Sequence, residues 1–205
     1  RTVEFGGRIQ NEGCNFMKKR QVVITGAGAC GLIAAIMAAR NGAAVTVLEQ
    51  NEKPGKKICA TGNGRCNFSN LARPDDAYRG EHPEFVEDAL REFSVENTIE
   101  FFKEIGIYPL NRNGYLYPRS NQAQSVVDVL CMEAASLGVK IKTNEQVTEI
   151  KTGTNKKNFQ ILTKGWHYDA DALILANGSR AASVSGSDGS GYMLAESFHH
   201  RIVPV

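Results

Sequence analysis

The chain has 205 residues, 42% of them hydrophobic and 22% charged, and a formal net charge of +2. This length suffices for one large domain or one and a half small ones, and the composition is that of an ordinary globular protein. Lysine and arginine are scattered rather than gathered in a basic stripe with aromatics, which argues against a nucleic-acid partner. The five cysteines are odd in number and include no C-x-x-C, so we expect free thiols, a cytoplasmic location and no metal site.

The first 16 residues show no clear hydrophobic period and precede Met17, which is a natural start. We predict that residues 1–16 are a poorly ordered extension.

Residues 21–49 carry the pattern strand, glycine loop, helix, strand, acid. The apolar, β-branched run 22–25 predicts a buried strand. That strand leads into G-x-G-x-x-G, whose glycines are Gly26, Gly28 and Gly31. Such glycines allow a tight turn, close approach of a pyrophosphate and close helix packing. The second apolar strand, 45–48, ends at Glu49, where an acid can accept hydrogen bonds from ribose hydroxyls. The order and spacing of these elements predict dinucleotide binding. The alternative is a hairpin of buried elements that binds no ligand, and it would leave Glu49 at the end of an apolar strand unexplained.

The uncharged stretch 22–39 follows three basic residues and therefore also resembles a signal peptide or membrane span. Its three glycines and six alanines make it only weakly apolar, and the β-branched run stops at the glycine turn. A soluble βαβ unit fits better, so we expect no membrane association.

A second glycine-rich segment, TGNGRCN at 61–67, follows soon after the acid. Gly62 and Gly64 permit positive φ and close backbone approach. Asn63 and Asn67 can hydrogen-bond the edge of a polar ring, and Arg65 can stabilise negative charge on a bound cofactor. Taken alone, the segment also fits a solvated surface turn. Its place just after the acid favours a cofactor-binding loop.

The downstream pattern predicts helices followed by a β-meander. Helical periodicity over 84–105 breaks at Ser94, a good N-cap, which predicts two helices. Turn residues at 111–114 predict a hairpin. The other predicted elements are a helix over 125–137, a strand at 139–142, meander strands at 147–152, 158–163 and 166–170, a buried strand at 171–176 and a helix from 192. A meander returning to a core strand is typical of FAD domains of the glutathione-reductase-like class, whereas plain NAD-linked dehydrogenases repeat βα units.

Four segments carry a family resemblance: GAGACGLIAAIMAAR with its acid, GKKICATGNGRCNFSN, GYLYPRSNQAQSVVDVL and DALILANGSRAASVSGSDGSGYMLAE. They are similar to the bacterial NAD(P)/FAD-dependent oxidoreductases, the aminoacetone-oxidase-like FAD-binding flavoproteins that include a bile-acid-inducible reductase. The resemblance covers 17–205 and implies FAD, with its adenosine end on the first βαβ unit and its flavin end near 61–67. The chain departs from the family at 176–179, where A-N-G-S replaces A-T-G-G.

The resemblance implies an α/β fold: a Rossmann-like FAD-binding domain with a β-meander, truncated before most of an inserted substrate domain. Family members run about twice as long. We expect this domain at 17–192, with a helical and hairpin excursion at 82–120, and the start of a second domain at 193–205. The expected cofactor-binding residues are Gly26, Ala27, Gly28, Ala29, Cys30, Gly31, Glu49, Gln50, Lys57, Thr61, Gly62, Asn63, Gly64, Arg65, Cys66, Asn67, Val147, Asn177 and Gly178.

The favoured function is an FAD-dependent oxidoreductase that transfers a hydride or electron pair to a small-molecule substrate. NAD(P)H is the expected donor, binding transiently at the flavin face because the chain holds no second glycine–acid unit. Two alternatives stay open: an NAD-dependent Rossmann dehydrogenase and a truncated, non-catalytic nucleotide-binding remnant.

No residue stands out as a catalytic acid or base. The adjacent His199 and His200 fit compensation of a helix dipole better than catalysis. Asp188 fits a turn, and the alternating Tyr115 and Tyr117 fit packing on a short strand.

Overall fold

The computed structural model describes residues 19–72, 77–80, 82–153, 158–181, 184 and 186–203. The extension expected at 1–16 lies outside these ranges. The strands are β1 Gln21–Thr25, β2 Ala44–Leu48, β3 Ser69–Asn70, β4 Pro109–Arg112, β5 Tyr115–Pro118, β6 Lys140–Lys142, β7 Val147–Thr152, β8 Phe159–Thr163, β9 His167–Ala170 and β10 Ala172–Leu175. The helices are α1 Ala29–Arg40, α2 Lys56–Ala60, α3 Phe85–Glu92, α4 Val95–Glu104, α5 Ala123–Ser136 and α6 Ser190–Glu196, with a 3-10 turn at Thr61–Gly64.

A parallel sheet of four strands, in the order β10-β1-β2-β6, forms the centre of the fold. In register, Thr25 lies beside Leu48 on one side and Leu175 on the other, so three strands end together. Both faces of the sheet are covered, which explains why β1 and β2 are near-continuous apolar runs. In such sheets ligands bind in the crevice outside the carboxyl ends of the strands. The predicted βαβ unit with a returning core strand is confirmed.

The two faces of β1 pack against different layers. Val22 and Ile24 belong to a cluster with α1, α4 and α5, whereas Val23 joins a cluster with the antiparallel sheet β7-β8-β9 and α6. This separation follows from the alternation of side chains along a strand. The predicted β-meander is therefore confirmed as the layer opposite the helices.

The excursion at 82–120 contains two helices and a hairpin. Ser94 separates α3 from α4: its Oγ accepts a hydrogen bond from the Asn97 N–H, and the Asn97 side chain accepts one from the Ser94 N–H. This reciprocal capping box confirms the predicted helix break. Strands β4 and β5 are joined by Asn113 and Gly114, both at positive φ, as a type I′ hairpin turn requires.

Two features concern the ends of the fold. Helix α6 crosses the domain boundary expected at 192, and Leu194 packs on the meander side of the sheet, so that boundary stays a prediction. Strand β10 is an edge of the central sheet, and Ile174 and Leu175 on it are 36% and 38% exposed. Within the described ranges, no helix is long and apolar enough to cross a bilayer.

Candidate cofactor-binding site

A cleft of about 1160 Å³ opens at the carboxyl edge of the parallel sheet. This volume exceeds the roughly 300–1,000 Å³ of ordinary small-ligand pockets and suits a long dinucleotide. Its lining includes the segments 25–30, 48–51, 55–58, 145–147, 175–178 and 186–187. The cleft therefore lies where a parallel sheet of this kind binds its ligand.

The glycine loop is shaped by close backbone contacts at two of its three glycines. A Cβ on Gly31 would lie 1.9 Å from the Gly26 carbonyl oxygen, and one on Gly26 would lie 2.5 Å from the Ala176 carbonyl oxygen. A Cβ on Gly28 would meet no atom within 4 Å. Gly31 and Gly26 are therefore needed for packing, whereas Gly28 keeps the approach to α1 open for a ligand.

The N-terminus of α1 faces this opening. Gly28 is its N-cap, and no side chain caps the helix. Ala29 and Cys30, in the first turn, both line the cleft. Uncapped N–H groups and the positive end of the helix dipole bind phosphate groups. These residues fit the diphosphate of a dinucleotide.

Glu49 connects the glycine loop to the end of β2. Its carboxylate is only 6% exposed. One oxygen accepts a hydrogen bond from the Ala27 N–H at 2.7 Å, and the other accepts two from Asn51, at 2.8 Å from N and 2.6 Å from Nδ2. The first oxygen keeps one lone pair for a ribose hydroxyl. Glu49 can therefore fill its expected role, and Asn51 is a site residue that the sequence pattern did not reveal.

Helix α2 begins beside the glycine loop because the Gly55 N–H donates to the Ala27 carbonyl at 2.8 Å. From its first turn, Lys57 Nζ donates to the hydroxyl of Ser187 at 3.3 Å, and both residues line the cleft. An ammonium group in this position suits a phosphate ligand. Lys57 thus lines the cleft, its contact with a cofactor stays a prediction, and Ser187 is an additional candidate.

The glycine-rich turn before α6 is fixed from two sides. Gln50 Nε2 donates to the Gly186 carbonyl at 2.8 Å, and Asp188 accepts from the Ser190 N–H at 2.9 Å. The backbone hydrogen bond from Ser190 holds the pKa of Asp188 below its ordinary value. Asp188 therefore serves the turn, in agreement with its sequence context.

The loop 61–67 meets the cleft with its two ends. Thr61, Cys66 and Asn67 line the cleft, whereas the residues from 62 to 65 are not among its lining residues. Asn67 Nδ2 donates to the carbonyls of Ser69 and Leu116 at 3.0 and 3.1 Å, which leaves only its oxygen for a ligand. Asn67 therefore holds the loop against β5 as well as bordering the cleft.

The tip of that loop faces the β4–β5 hairpin. Arg65 Nε donates to the Gly62 carbonyl at 3.1 Å, and its guanidinium carbon lies 5.5 Å from the ring centroid of Tyr117. Gly62 and Gly64 have φ of 55° and 79°, the positive φ that the sequence pattern anticipated, and Asn63 between them also has a positive φ of 54°. Burial raises the pKa of the Cys66 thiol, so this cysteine is a poor nucleophile at neutral pH.

The remaining expected residues are also near the cleft. Val147 lines it at the start of β7, and Asn177 accepts a hydrogen bond from the Thr25 hydroxyl at 2.5 Å. Gly178 has φ of 81° and lies against Ser187. The two adjacent histidines follow the end of α6 and are not lining residues. The contacts of every expected residue with a cofactor stay predictions.

Sequence reasoning missed an apolar wall on the helix side of the cleft. Its members come from α1, α4 and α5 and are Ile33, Phe101, Phe102, Val126 and Leu130. Their spacing is that of ordinary core positions of amphipathic helices, so no sequence signal separates this wall from packing.

A three-layer fold with an open glycine loop, a buried acid and a meander defines the class of Rossmann-type dinucleotide-binding domains found in flavoproteins. Within that class, the chain belongs to the family of the HI0933-like protein Rossmann domain, an FAD-binding family whose model matches residues 20–205. The resemblance to FAD-binding oxidoreductases and the fold it implied are confirmed.

Individual proteins agree with this assignment. The chain is 47% identical over 187 residues to a 3-dehydro-bile acid delta(4,6)-reductase of Clostridium scindens. The aligned region covers 90% of this chain and 45% of the reductase. It is 32% identical over 185 residues to a ribosomal RNA dihydrouridine synthase of Haemophilus influenzae, and that match covers 89% of this chain and 46% of the synthase. The chain thus spans about half the length of these relatives.

The fold is shared with a 3-ketosteroid-delta4-(5alpha)-dehydrogenase from Rhodococcus jostii RHA1. The two structures superpose with a TM-score of 0.64 at 17% identity, over 90% of this chain and 55% of the other. At this identity the similarity concerns the fold alone.

Proposed function

We propose that the chain forms the FAD-binding part of a flavin-dependent reductase acting on a carbon–carbon double bond conjugated to a carbonyl. The substrate is a 3-oxo steroid acid and the hydride donor is NAD(P)H. The observation that carries the proposal is the 47% identity to the clostridial bile-acid reductase, which extends over 90% of this chain.

The relatives' names describe one kind of chemistry. A 3-dehydro-bile acid with unsaturation at positions 4 and 6 has its double bonds conjugated to the 3-oxo group. Dihydrouridine is uridine whose ring double bond, conjugated to a carbonyl, has been reduced. In both substrates, reduction of the double bond next to the carbonyl adds a hydride to the β carbon and a proton to the α carbon, while one NAD(P)H is oxidised to NAD(P)+. The more distant double bond of the diene takes its hydride at the δ carbon and consumes a second NAD(P)H. The chemistry that FAD would supply, when bound here, is transfer of this hydride.

The chain's own residues support the cofactor half of this proposal. Glu49 and the N-terminus of α1 would hold the adenosine and diphosphate groups, and Lys57 would add a positive charge beside the phosphates. The 61–67 loop borders the rest of the cleft through Thr61 and Cys66. These groups would bind and orient FAD.

The apolar wall supports a hydrophobic substrate. Phe101, Phe102 and Leu130 are at most 7% exposed and present hydrocarbon to the cleft. Apolar side chains are the usual lining of pockets that hold hydrophobic ligands. An RNA substrate instead requires a basic surface, and this chain has a net charge of only +2. The steroid acid is therefore favoured over RNA.

The test uses the purified chain and begins by identifying the flavin released on heating. The flavin is then reduced anaerobically with NADPH or NADH, and its reoxidation is followed after addition of a 3-oxo-4,6-diene steroid acid or of uridine-rich ribosomal RNA. We expect released FAD and reoxidation by the steroid acid. Reoxidation by RNA alone would contradict the proposed substrate, and release of NAD in place of FAD would contradict the proposed cofactor.

A further inference from the structure

Two arginines approach one tyrosine on the outer face of the 61–67 loop. The guanidinium carbon of Arg65 lies 5.5 Å, and that of Arg112 5.9 Å, from the ring centroid of Tyr117. We call Arg65, Arg112 and Tyr117 the Arg–Tyr face. Arg65 comes from the loop, Arg112 from β4 and Tyr117 from β5, so three separate segments converge on it.

The position of Arg65 is fixed by the loop backbone. Its Nε donates to the Gly62 carbonyl at 3.1 Å, and a Cβ on Gly62 would lie 3.2 Å from Tyr117 Cε1. Gly62 thus packs against the tyrosine ring and turns Arg65 toward the same ring. The left-handed backbone at Gly62 and Asn63, which favours glycine and asparagine, therefore serves to build this face.

The Arg–Tyr face carries positive charge without a matching acid. Among the described residues, no carboxylate lies within ion-pair distance of Arg65 or Arg112. Both terminal nitrogens of Arg65 and the whole Arg112 guanidinium make no hydrogen bond to the described residues. Because both guanidinium carbons lie within 5.9 Å of the same ring centroid, their two positive charges together raise the local potential for an anion. Their planar donor forks match carboxylate geometry.

The Arg–Tyr face borders the cleft. Cys66, the residue after Arg65, and Thr61, at the start of the same loop, both line the cleft, whereas the two arginines do not. An anion on this face therefore lies beside the lining of the cleft rather than within it. This arrangement suits a substrate whose acidic group is remote from its reacting carbons.

We propose that Arg65 and Arg112 bind the carboxylate of the substrate at the mouth of the cleft. The inference rests on the proposed function, because a 3-oxo steroid acid has its enone at one end and its carboxylate at the other. The face selects acidic over neutral steroids of the same ring structure. It is a small-molecule site rather than an RNA surface, because the chain's basic residues are scattered and form no stripe beyond these two arginines.

The test compares a 3-oxo-4,6-diene steroid acid with its neutral methyl ester. Arg112→Gln and Arg65→Gln are compared with Arg119→Gln, an exposed arginine that follows β5 and lies outside the Arg–Tyr face. We expect Arg112→Gln to raise KM for the acid roughly ten- to one-hundred-fold, the effect of losing a charge-assisted hydrogen bond, with kcat unchanged. Arg65→Gln should raise KM for the acid in the same way, but its kcat is not expected to stay constant because Arg65 is also an expected cofactor-binding residue. We expect no change for the ester in Arg112→Gln or for either ligand in Arg119→Gln.

Equilibrium binding of the saturated 3-oxo acid separates this inference from the proposed function. Arginine-dependent binding without turnover of the diene would refute the reductase and support the carboxylate site. Equal losses for acid and ester, or an unchanged affinity for the acid, would refute the site. A lower kcat for both ligands in Arg65→Gln would show that Arg65 acts on the flavin instead. Arginine-dependent displacement of the acid by oligouridylate would assign the face to RNA phosphate.

A fold control is available within the face itself. Arg65 holds the loop through its bond to Gly62, so its variant can lose loop structure, whereas exposed Arg112 makes no hydrogen bond to the described residues. Arg112→Gln therefore decides the question, provided that its flavin content and melting temperature equal those of the parent chain.

Discussion

Replacing Glu49 by glutamine tests how the cleft is assembled. The carboxylate is 6% exposed and accepts one hydrogen bond from Ala27 and two from Asn51. Glutamine keeps the shape but exchanges one acceptor oxygen for an NH₂ donor. In either orientation of the amide, at least one buried N–H then faces another donor. The substitution therefore damages the connection between the glycine loop and β2.

The magnitude follows from the less costly orientation, in which the amide oxygen accepts from Asn51 and the NH₂ faces the Ala27 N–H. One bond to a charged acceptor is lost, which costs about 1.5–3 kcal/mol. The other two bonds lose their charge assistance. We expect the free energy of unfolding to fall by about 2–4 kcal/mol, and the melting temperature by about 2–4 °C per kcal/mol in a chain of this size.

The measurement is urea unfolding followed by circular dichroism, with Glu52→Gln as the matched control. Glu52 is exposed and lies three residues beyond Glu49, and its substitution removes the same charge without breaking a hydrogen bond among the described residues. A flavin-fluorescence titration of both variants adds the effect on FAD affinity, which we expect only for Glu49→Gln. Equal unfolding free energies for the two variants would refute the idea that this carboxylate holds the loop.

Three further outcomes are expected. We expect Gly31→Ala to yield little soluble, folded protein, because the new Cβ lies 1.9 Å from a carbonyl oxygen. Gly28→Ala, whose new Cβ meets no atom within 4 Å, should fold but bind FAD more weakly. Thermal melts measure the first effect and FAD titrations the second. FAD slows maleimide labelling of Cys30, which is exposed in the cleft, but not of half-buried Cys131; equal protection of both, measured by mass spectrometry, would contradict the proposed position of the cofactor. A backbone hydrogen bond lowers the pKa of Asp188 in the folded chain. The stability that the ionised Asp188 contributes is therefore complete above the ordinary aspartate pKa and is lost as the pH falls through the lowered pKa. We expect Asp188→Asn to remove this small acid-range dependence of the melting temperature.

Much of the fold could be predicted because its signals are local. A β-branched run, three spaced glycines and an acid define β1, α1 and β2 within 29 consecutive residues, from 21 to 49. Ser94 marked the break between α3 and α4, where its capping box forms. Alternation and turn residues placed the meander and the hairpin. In each case the chemistry of a few neighbouring residues is enough to determine the element.

Helix α2 could not be predicted because its cause lies elsewhere in the chain. It has five residues and follows Gly55, whose φ is 70°. A Cβ on Gly55 would lie 2.6 Å from Val127 on α5, so the close approach of two helices fixes this segment. Short elements of this kind depend on tertiary contacts more than on propensity.

The same distinction applies to the candidate site. The glycine loop and Glu49 follow a local pattern, and the structure brings them together with Lys57 and Val147 around one cleft. The direction of Arg65 depends on Tyr117, a residue far away in sequence, and so it could not be read from the loop alone. The roles of Asn51 and Ser187 likewise depend on partners that only the fold brings near them.

The open edge of the parallel sheet links assembly to ligand occupancy. Ile174 and Leu175 give β10 an exposed apolar margin, and edge strands of this kind are templates for another strand. Leu175 also lines the cleft. A strand that pairs with β10 therefore contacts a wall of the ligand site. If such a strand binds more tightly when FAD occupies the cleft, then FAD must bind more tightly, by the same factor, when the strand is paired with β10. The two affinities are linked because both binding equilibria belong to one thermodynamic cycle.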